Sequence, residues 1–394
     1  MKRTLLTIAA AAAAFTGANA TDFNKAMNLL VSNNLEAKVA AQRSLSEVEA
    51  LKAENALAGP EAEFSRVWGN NPEIGNKFAI SVSQGFDWPG LYAARRKAAN
   101  MAESALEFLN ASAMLDARRD ARLLLLDFIH NSQLLNLQNK YASRLDSMEA
   151  YYKRAAEEGL ETRLDYNKTV LERIRVHREL HQLERDRDAL IVRIQAFNGG
   201  VSPNEVISLV GNEYPKIERA KLSSILSQVE ERDPGYAAVL LQSEAARQRV
   251  KVEKLSALPG FSIGYEHETE IGGGFNGFSI GINLPSWSRK HSRKAALLEA
   301  ELAQKDAELA LLQRKSELEA DMAQLDYYEH AIAEYAPIVE DNAPIELLRK
   351  AFVAQQITLL NYMDEENYFL QAHREYLDLV YEYQQAVARL MYYE

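Results

Sequence analysis

The chain has 394 residues, with 45 Lys and Arg against 56 Asp and Glu, a formal net charge of -11 and no cysteine. A chain this acidic lacks the basic surface that nucleic-acid binding requires, so DNA and RNA are excluded as partners. The lack of cysteine excludes disulfides, thiolate metal sites, a cysteine nucleophile and a lipid-modified cysteine.

The first 20 residues have the pattern of a secretory signal peptide. Lys2 and Arg3 precede an apolar run over 5–15, and the Ala-Asn-Ala sequence at 18–20 supplies small residues for cleavage. We therefore expect an exported chain that starts at Thr21, with its formal charge lowered from -11 to -13 by the loss of Lys2 and Arg3. No later apolar run approaches the ~18 residues of a membrane-spanning helix, which leaves a soluble exported protein or a β-barrel.

Sequence matches at a nearly constant offset indicate a tandem duplication. Leu164-Asp165-Tyr166 falls on Leu360-Asn361-Tyr362, 196 residues later, and the segment 96–99 falls on 293–296. Each repeat predicts a helix, two strands and two long helices. We place the repeats at 21–198 and 233–394, with a turn-rich connecting segment at 199–232.

The predicted strands have one apolar and one polar face. In the second repeat, apolar side chains at 278, 280, 282 and 284 alternate with Ser279, Gly281 and Asn283. Such alternation is typical of transmembrane β-barrels, whose apolar side chains face lipid. Because such barrels need at least ~8 strands, four strands per chain must be shared among several copies. The strands are expected at about 64–69 and 78–87, and at about 260–268 and 277–285.

Long helical hairpins are predicted over about 91–198 and 287–394. The segment Leu91–Glu158 contains neither Gly nor Pro over 68 residues, and as one helix it would extend about 100 Å. Leucines spaced by seven at 311, 318 and 325 indicate coiled-coil packing. Pro337 and Pro344 predict that the second hairpin bends where the first is straight.

The turns at the ends of the hairpins carry the candidate site residues. Gly159 and Thr162 have the roles of a C-terminal glycine cap and an N-cap, whereas the second turn has Gln355 in place of Gly and retains Thr358. Asp364 follows closely, in an Asp-Glu-Glu run. If several copies surround an opening, these acidic residues would form a ring that favours cations; a solvated acidic helix start is the alternative.

Two tryptophans, Trp88 and Trp287, stand where strands pass into helices. Aromatic residues of this kind concentrate at membrane interfaces, so we predict an interfacial position for both. Basic residues follow both tryptophans, at 95–97 and at 289, 290, 293 and 294; ordinary surface charge would explain these basic residues equally well.

Patterns of catalytic or metal sites are weak. Gly272, Gly274 and Gly277 match G-x-G-x-x-G, but a strand follows them instead of the helix that phosphate binding requires. His177 and His181 are four residues apart and could share a metal ion, but the surrounding arginines favour a solvated helix face. We therefore expect no enzyme activity, no metal and no cofactor.

These features together resemble the TolC family of outer-membrane efflux proteins over essentially the whole mature chain. The resemblance rests on the signal peptide, the duplicated units, the junctions Trp88-Pro89-Gly90 and Leu284-Pro285-Ser286, and the Gly159-Leu160…Asp165 turn. It implies a mainly α homotrimer in which four strands per chain build a twelve-stranded β-barrel, continued by a long coiled-coil α-barrel across the periplasm.

The resemblance also implies a function and partners. Such a channel is a passive exit duct of a tripartite efflux or type I secretion system, joined through a periplasmic adaptor to an inner-membrane pump of the RND or ABC type. It places Asp364, Asn361 and Asp165 at the periplasmic aperture, and it assigns four turn residues, Gly159, Leu160, Gln355 and Thr358, to the adaptor contact.

The sequence departs from the pattern of this family at two points, and two other classes of protein are alternatives to a channel. Gln355 replaces the expected Gly, and the missing lipid-modified cysteine differs from many metal-exporting relatives. A soluble periplasmic coiled-coil scaffold is one alternative, but it leaves the alternating strands unexplained. The adaptor itself is another, but it would have one helical hairpin within Gly- and Val-rich β domains.

Overall fold

The computed structural model describes residues 21–70, 75–215, 232–270, 272–285, 288–341 and 343–393. The predicted signal peptide, residues 216–231 of the connecting segment and Trp287 lie outside these ranges. The described elements of the first repeat are helix α1 (21–33), α2 (Leu35–Glu54), strands β1 (Glu61–Trp68) and β2 (Asn76–Phe86), α3 (Pro89–Glu157) and α4 (Arg163–Phe197).

The second repeat follows the short helix α5 (Asn204–Leu209). Its elements are α6 (Pro234–Leu255), β3 (Gly260–Glu270), β4 (Gly273–Asn283), α7 (Arg289–Val339), α8 (Ala343–Val353) and α9 (Leu359–Leu390), with a final 3-10 turn at Met391–Tyr393. The order helix, strand, strand, helix, helix therefore occurs twice, which confirms the predicted duplication of the fold. None of the described helices combines the length and apolar character needed to cross a membrane.

The two hairpins differ where the prolines lie. Helix α3 runs for 69 residues without a break, because nothing after its first turn removes a backbone donor or favours a turn. In the second repeat α7 contains Pro337 and ends two residues later, and Pro344 lies in the first turn of α8. Proline is tolerated in a first turn and disrupts a helix interior. The helix of the second hairpin is consequently divided into α7 and α8.

The four strands form one antiparallel sheet in the order β1-β2-β3-β4. Val82 at the centre of β2 pairs with Ala62 of β1 and with Tyr265 of β3, and Tyr265 pairs with Phe278 of β4. The two strand pairs of the duplication thus join along β2 and β3. Within the chain, β1 and β4 are edge strands, each with one side of its backbone unpaired.

The described residues divide into two compact units. Unit 1 draws on the segments 21–38, 113–215 and 315–393, and unit 2 on 39–112 and 232–314. Each unit therefore combines residues from both repeats. Unit 1 contains the largest apolar core, in which Met27 and Leu30 of α1 pack with Leu125 and Ile129 of α3 and Ile194 of α4. Unit 2 contains the sheet.

A tight turn fixes the end of α4 against α1 in unit 1. Gly199 has φ +65, and a Cβ added there would lie 2.6 Å from the backbone oxygen of Asn33. The Asn33 side-chain amide donates to Asn198 Oδ1 at 2.9 Å. Asn34 ends α1, and its Oδ1 accepts from the Ala37 N–H at 2.8 Å, which caps α2. The close approach of Gly199 to the Asn33 carbonyl needs both a left-handed backbone at 199 and the absence of a side chain there.

Gly199→Ala is expected to destabilise the protein more than Gly159→Ala. Gly159 also has a left-handed backbone, with φ +75, but a Cβ there would meet nothing within 4 Å. Alanine at 159 should cost about 1 kcal/mol of unfolding free energy for the backbone alone. At 199 the overlap with Asn33 should raise the cost to roughly 3 kcal/mol. Urea unfolding measures both, and equal costs would contradict the proposed close contact.

Candidate functional site

The turn between α3 and α4 closes the first hairpin with paired caps. The N–H groups of Leu160 and Glu161 donate to Ala155 O at 2.8 and 3.2 Å across Gly159, which has a left-handed backbone. Thr162 then starts α4, since its Oγ1 accepts from the Asp165 N–H at 3.1 Å. The glycine and threonine predicted as caps therefore act as such.

The turn between α8 and α9 repeats this geometry with a different residue. Gln355 has φ +59 and is the non-glycine residue with positive φ among the described residues. The Gln356 N–H donates to Ala351 O at 2.9 Å, and Thr358 Oγ1 accepts from the Asn361 N–H at 3.3 Å. Replacement of Gly by Gln thus preserves the backbone turn, at a conformational cost of about 1 kcal/mol.

The four residues predicted to face an adaptor are all exposed. Gly159, Leu160, Gln355 and Thr358 lie on the surface of unit 1, and the side chain of Leu160 is 74% exposed. An exposed leucine at a turn is available for contact with another protein. The structure therefore leaves these positions free to bind a partner.

The three predicted aperture residues have different environments. Asp364 and Asn361 are exposed on the first turns of α9, and in the described part of the chain no side chain pairs with the Asp364 carboxylate. Asp165 instead accepts a hydrogen bond from the Thr162 hydroxyl and lies 3.5 Å from Lys168 Nζ. Its charge is therefore partly engaged in capping α4. Asn361 occupies the corresponding capping position of α9.

Both turns lie in unit 1, and aromatic residues pack between them. Tyr152 of α3 is buried with Tyr362 and Met363 of α9, and the rings of Phe352 and Tyr362 stack with centroids 4.5 Å apart. Beside this cluster is a groove of about 850 Å³ lined in part by Tyr151 and Leu360. Sequence analysis missed this aromatic cluster, because no pattern in one helix shows which residues of another helix it will meet.

A polar network connects the first hairpin to α9. Arg374 Nη2 donates to Glu179 of α4 at 2.9 Å and also to Gln138 of α3. Arg175 of α4 donates to Asn367 of α9 at 2.6 Å. These bonds involve charged groups and span three helices, which makes them stronger and more specific than ordinary surface pairs.

Glu172 is part of the same network. Burial opposes its ionisation, but hydrogen bonds and charge from Arg175 outweigh burial and hold the pKa of Glu172 below its usual range. The Tyr141 hydroxyl donates to Glu172 at 3.2 Å. Burial, reinforced by that carboxylate, raises the pKa of Tyr141. Glu172 is therefore a stable anion at the centre of the network.

Glu366 of α9 is a buried carboxylate, only 2% exposed. Its Oε1 lies 2.9 Å from Arg144 Nε of α3, in an ion pair without an aligned hydrogen bond, and accepts from the Tyr362 hydroxyl at 3.3 Å. Its Oε2 has no hydrogen-bond partner among the described residues. Burial raises the pKa of Glu366 despite the charge of Arg144, and nearby Glu172 acts in the same direction. Ionisation of Glu366 is therefore less favourable in the folded protein than in the unfolded chain.

Glu366→Gln is expected to stabilise the protein more at neutral pH than at pH 4.5. A carboxyl whose pKa is raised by folding binds its proton more tightly when folded, so its contribution to stability is lost as pH rises through the folded pKa. Glutamine removes this loss and retains an acceptor for Arg144. The unfolding free energies of wild type and variant, measured from pH 4.5 to 7.5, should diverge as the pH rises.

A constant difference across this range would show that Glu366 is not the titrating group. Wild type and variant are compared at the same pH because His130 and His373 also titrate in this range. Burial lowers their pKa values, so in both proteins their contribution to stability rises with pH.

His177 and His181, whose spacing would allow a shared metal ion, each contact a carboxylate instead. His177 Nε2 lies 2.9 Å from Asp146, and His181 Nδ1 lies 2.9 Å from Glu184. In the part of the chain that the structure describes, no group of three or more His, Asp or Glu side chains could hold a metal ion. Gly272 forms the turn after β3 with φ +98, whereas Gly274 and Gly277 belong to β4.

The sheet in unit 2 has two chemically distinct faces. Cross-strand partners share a face, so the register places Phe64, Ile80, Val82, Tyr265 and Phe278 together on what we call the apolar face. The opposite, polar face carries small residues and all five carboxylates of the strands, Glu61, Glu63, Glu266, Glu268 and Glu270. None of the described residues covers the apolar face, since Phe278 and Ile280 are 87% and 82% exposed.

Trp88 lies at the helix-side end of the sheet. It follows β2, is 40% exposed, and its ring lies 5.9 Å from that of Phe261 on the apolar face. Trp88 therefore lies between a strand and a helix, as the sequence indicated, and its membrane-interface role stays a prediction. Trp287, the other residue predicted for this role, is outside the described residues.

Comparison with known proteins identifies the fold. No protein-family model and no curated protein matches the sequence. The solved structure of the outer-membrane channel OprN matches with a TM-score of 0.77 and 13% identity, covering 94% of this chain and 89% of that one. The CmeC outer membrane channel of Campylobacter jejuni matches with a TM-score of 0.75 and 14% identity, covering 94% and 85%.

The outer membrane protein VceC of Vibrio cholerae matches with a TM-score of 0.76 and 13% identity, covering 94% of this chain and 95% of that one. At these identities the matches establish the fold, which agrees with the predicted arrangement of long helices and four strands per chain.

Proposed function

We propose that this chain, which has the fold of the outer-membrane channels, is itself an outer-membrane channel and acts as a passive exit duct. In this proposal it carries out no catalysis and needs no cofactor. It belongs to a tripartite efflux or type I secretion system, in which a periplasmic adaptor joins it to an inner-membrane pump of the RND or ABC type. The observation that carries the proposal is the exposed apolar face of a sheet whose two edges are unpaired.

The unpaired edges favour assembly. An edge strand exposes backbone donors and acceptors, and these must be satisfied before a sheet can enter lipid. If β1 of one copy pairs with β4 of the next, three copies close a twelve-stranded barrel. Two or four copies would also give an even number of strands, and the trimer is chosen from the family that the sequence resembles.

The apolar face has the pattern expected of tilted strands. Apolar side chains extend over Phe78–Phe86 in β2 but over Phe261–Tyr265 in β3. The centre of the first stretch, Val82, pairs with Tyr265, which ends the second. The centre of the second stretch, Ile263, pairs with Gln84, the polar residue of β2 on this face, so the apolar stretch shifts by two residues from β2 to β3. With ~3.3 Å per residue and ~4.8 Å between strands, this corresponds to a tilt of about 55°, steeper than the ~35–45° of membrane barrels.

The helical turns are proposed as the periplasmic entrance. Asp364 and Asn361 would line the aperture of the assembled channel, with Asp165 nearby in the first turn of α4. The exposed residues of the two turns would contact the adaptor. Opening would move the second hairpin outward at the break between α7 and α8, which requires the polar bonds of Arg374 and Arg175 to rearrange.

The native mass of the mature protein tests the assembly. Protein extracted in detergent from purified outer membranes is expected to contain three copies per particle. A monomer in the soluble periplasmic fraction would overturn the channel proposal and favour the coiled-coil scaffold.

Asp364→Asn tests the aperture. The substitution is expected to lower cation selectivity, because it removes one negative charge per copy from the opening. Reversal potentials in planar bilayers under a salt gradient measure the effect. Glu365→Gln, a change of the same charge at the next position of α9, is the matched control. Unchanged selectivity in the Asp364 variant, or an equal change in both, would contradict the assignment.

A further inference from the structure

Charge is divided between the two faces of the sheet. Every carboxylate of the described strands lies on the polar face, where Glu268 also pairs with Lys77. On the apolar face of these strands, Arg66 carries the one permanent charge. Its guanidinium lies 5.8 Å from the ring of Trp68. Arg66 and Trp68 both lie near the end of β1 that is farther from the helices, which we call the turn-side end.

The polar residues of the apolar face gather at the same end. Asn276 Oδ1 accepts from the Tyr265 hydroxyl and contacts His267 Nδ1, both at 2.7 Å, and Thr269 Oγ1 lies 3.3 Å from His267 Nε2. This arrangement fits a His267 tautomer with the proton on Nδ1, so that Nε2 accepts from Thr269. The Asn276 oxygen is thereby occupied by two donors.

The groups left unsatisfied are donors. Within the described residues, no acceptor is bonded to the side-chain amide N–H groups of Asn276, to the Trp68 indole N–H or to the Arg66 guanidinium. The described strands therefore offer one positive charge and several N–H groups at the turn-side end, with no carboxylate on the same face of these strands. Such a surface is complementary to an anion with several acceptor oxygens, above all a phosphate.

We propose that the rim cluster, formed by Arg66, Trp68, His267 and Asn276, binds the phosphorylated headgroup of a membrane lipid. The proposal rests on the proposed function, since it requires the apolar face to contact acyl chains. Polar side chains are costly opposite hydrocarbon and favourable at headgroup level. The cluster is continuous with the apolar face, so one lipid can place its chains on Phe64 and Ile80 and its phosphate at Arg66.

The spacing of the cluster suits a headgroup with more than one acceptor. Arg66 lies on β1 and His267 on β3, two strands apart and offset by two residues, so their backbones are about 12 Å apart. A phosphorylated disaccharide headgroup can reach both, whereas a single free phosphate ion can contact only one end. Continuity with the apolar face further favours a lipid over the free ion.

Arg66→Gln tests the proposal in the assembled protein. The probe is bisphosphorylated lipid A, added to the detergent-purified protein and quantified by native mass spectrometry. The variant is expected to retain it about tenfold more weakly, the loss expected for one charge-assisted hydrogen bond. Retention by Arg66→Lys should be intermediate between that of wild type and that of Arg66→Gln, because lysine keeps the positive charge but lacks the planar guanidinium group. Wild type should retain lipid A without phosphates as weakly as the variant retains the phosphorylated form.

Arg154→Gln is the control, since it removes an exposed arginine of unit 1 that is not part of the sheet. It is expected to retain the phosphorylated lipid as well as wild type does.

Equal retention by the Arg66 variant and wild type, or equal retention of the two lipid forms, would overturn the proposal. Failure of the lipid site and failure of the proposed channel function are distinguished by measuring copy number and bilayer conductance on the same samples. Intact assemblies that conduct but show no phosphate dependence refute the lipid site alone. If wild type neither assembles nor conducts, the proposed function and the lipid site both fail.

Discussion

The need to satisfy backbone hydrogen bonds at the edges of one small sheet governs the rest of this structure. Four strands leave β1 and β4 with unpaired backbone groups, and their apolar face is exposed along its length. Either feature alone would promote aggregation of a soluble protein. The proposed channel resolves both, because it is a closed barrel shared among copies and surrounded by lipid. The proposed channel function follows from this requirement.

The duplication supplies two hairpins whose differences are located at a few residues. Both turns use a left-handed residue followed by a threonine cap, although Gly159 in one corresponds to Gln355 in the other. The prolines at 337 and 344 divide the helix of the second hairpin, whereas α3 is continuous. A shared turn geometry with unequal helix continuity suits a structure in which one hairpin stays fixed and the other moves.

Charged residues hold α9 to the first hairpin with unequal strength. Arg374 of α9 donates to Glu179 of α4, and Arg175 of α4 donates to Asn367 of α9. Glu172 of α4 is favoured as an anion in the same network. Glu366 is the opposite case, because it is buried with an unsatisfied oxygen beside Arg144. A contact that combines satisfied and unsatisfied charges can be stable in one arrangement and still release at modest cost. This property suits the opening of the entrance that we propose.

The sequence by itself determined the features that depend on neighbouring residues. Alternating apolar residues determined the strands, the lack of Gly and Pro determined α3, and the Gly159 and Thr162 caps determined the first turn. Tertiary structure alone decided which strands pair, since β2 and β3 are about 180 residues apart. It also placed Glu366 against Arg144 and gathered Arg66, His267 and Asn276 on one face. Contacts between distant segments depend on register and packing, and no local pattern encodes them.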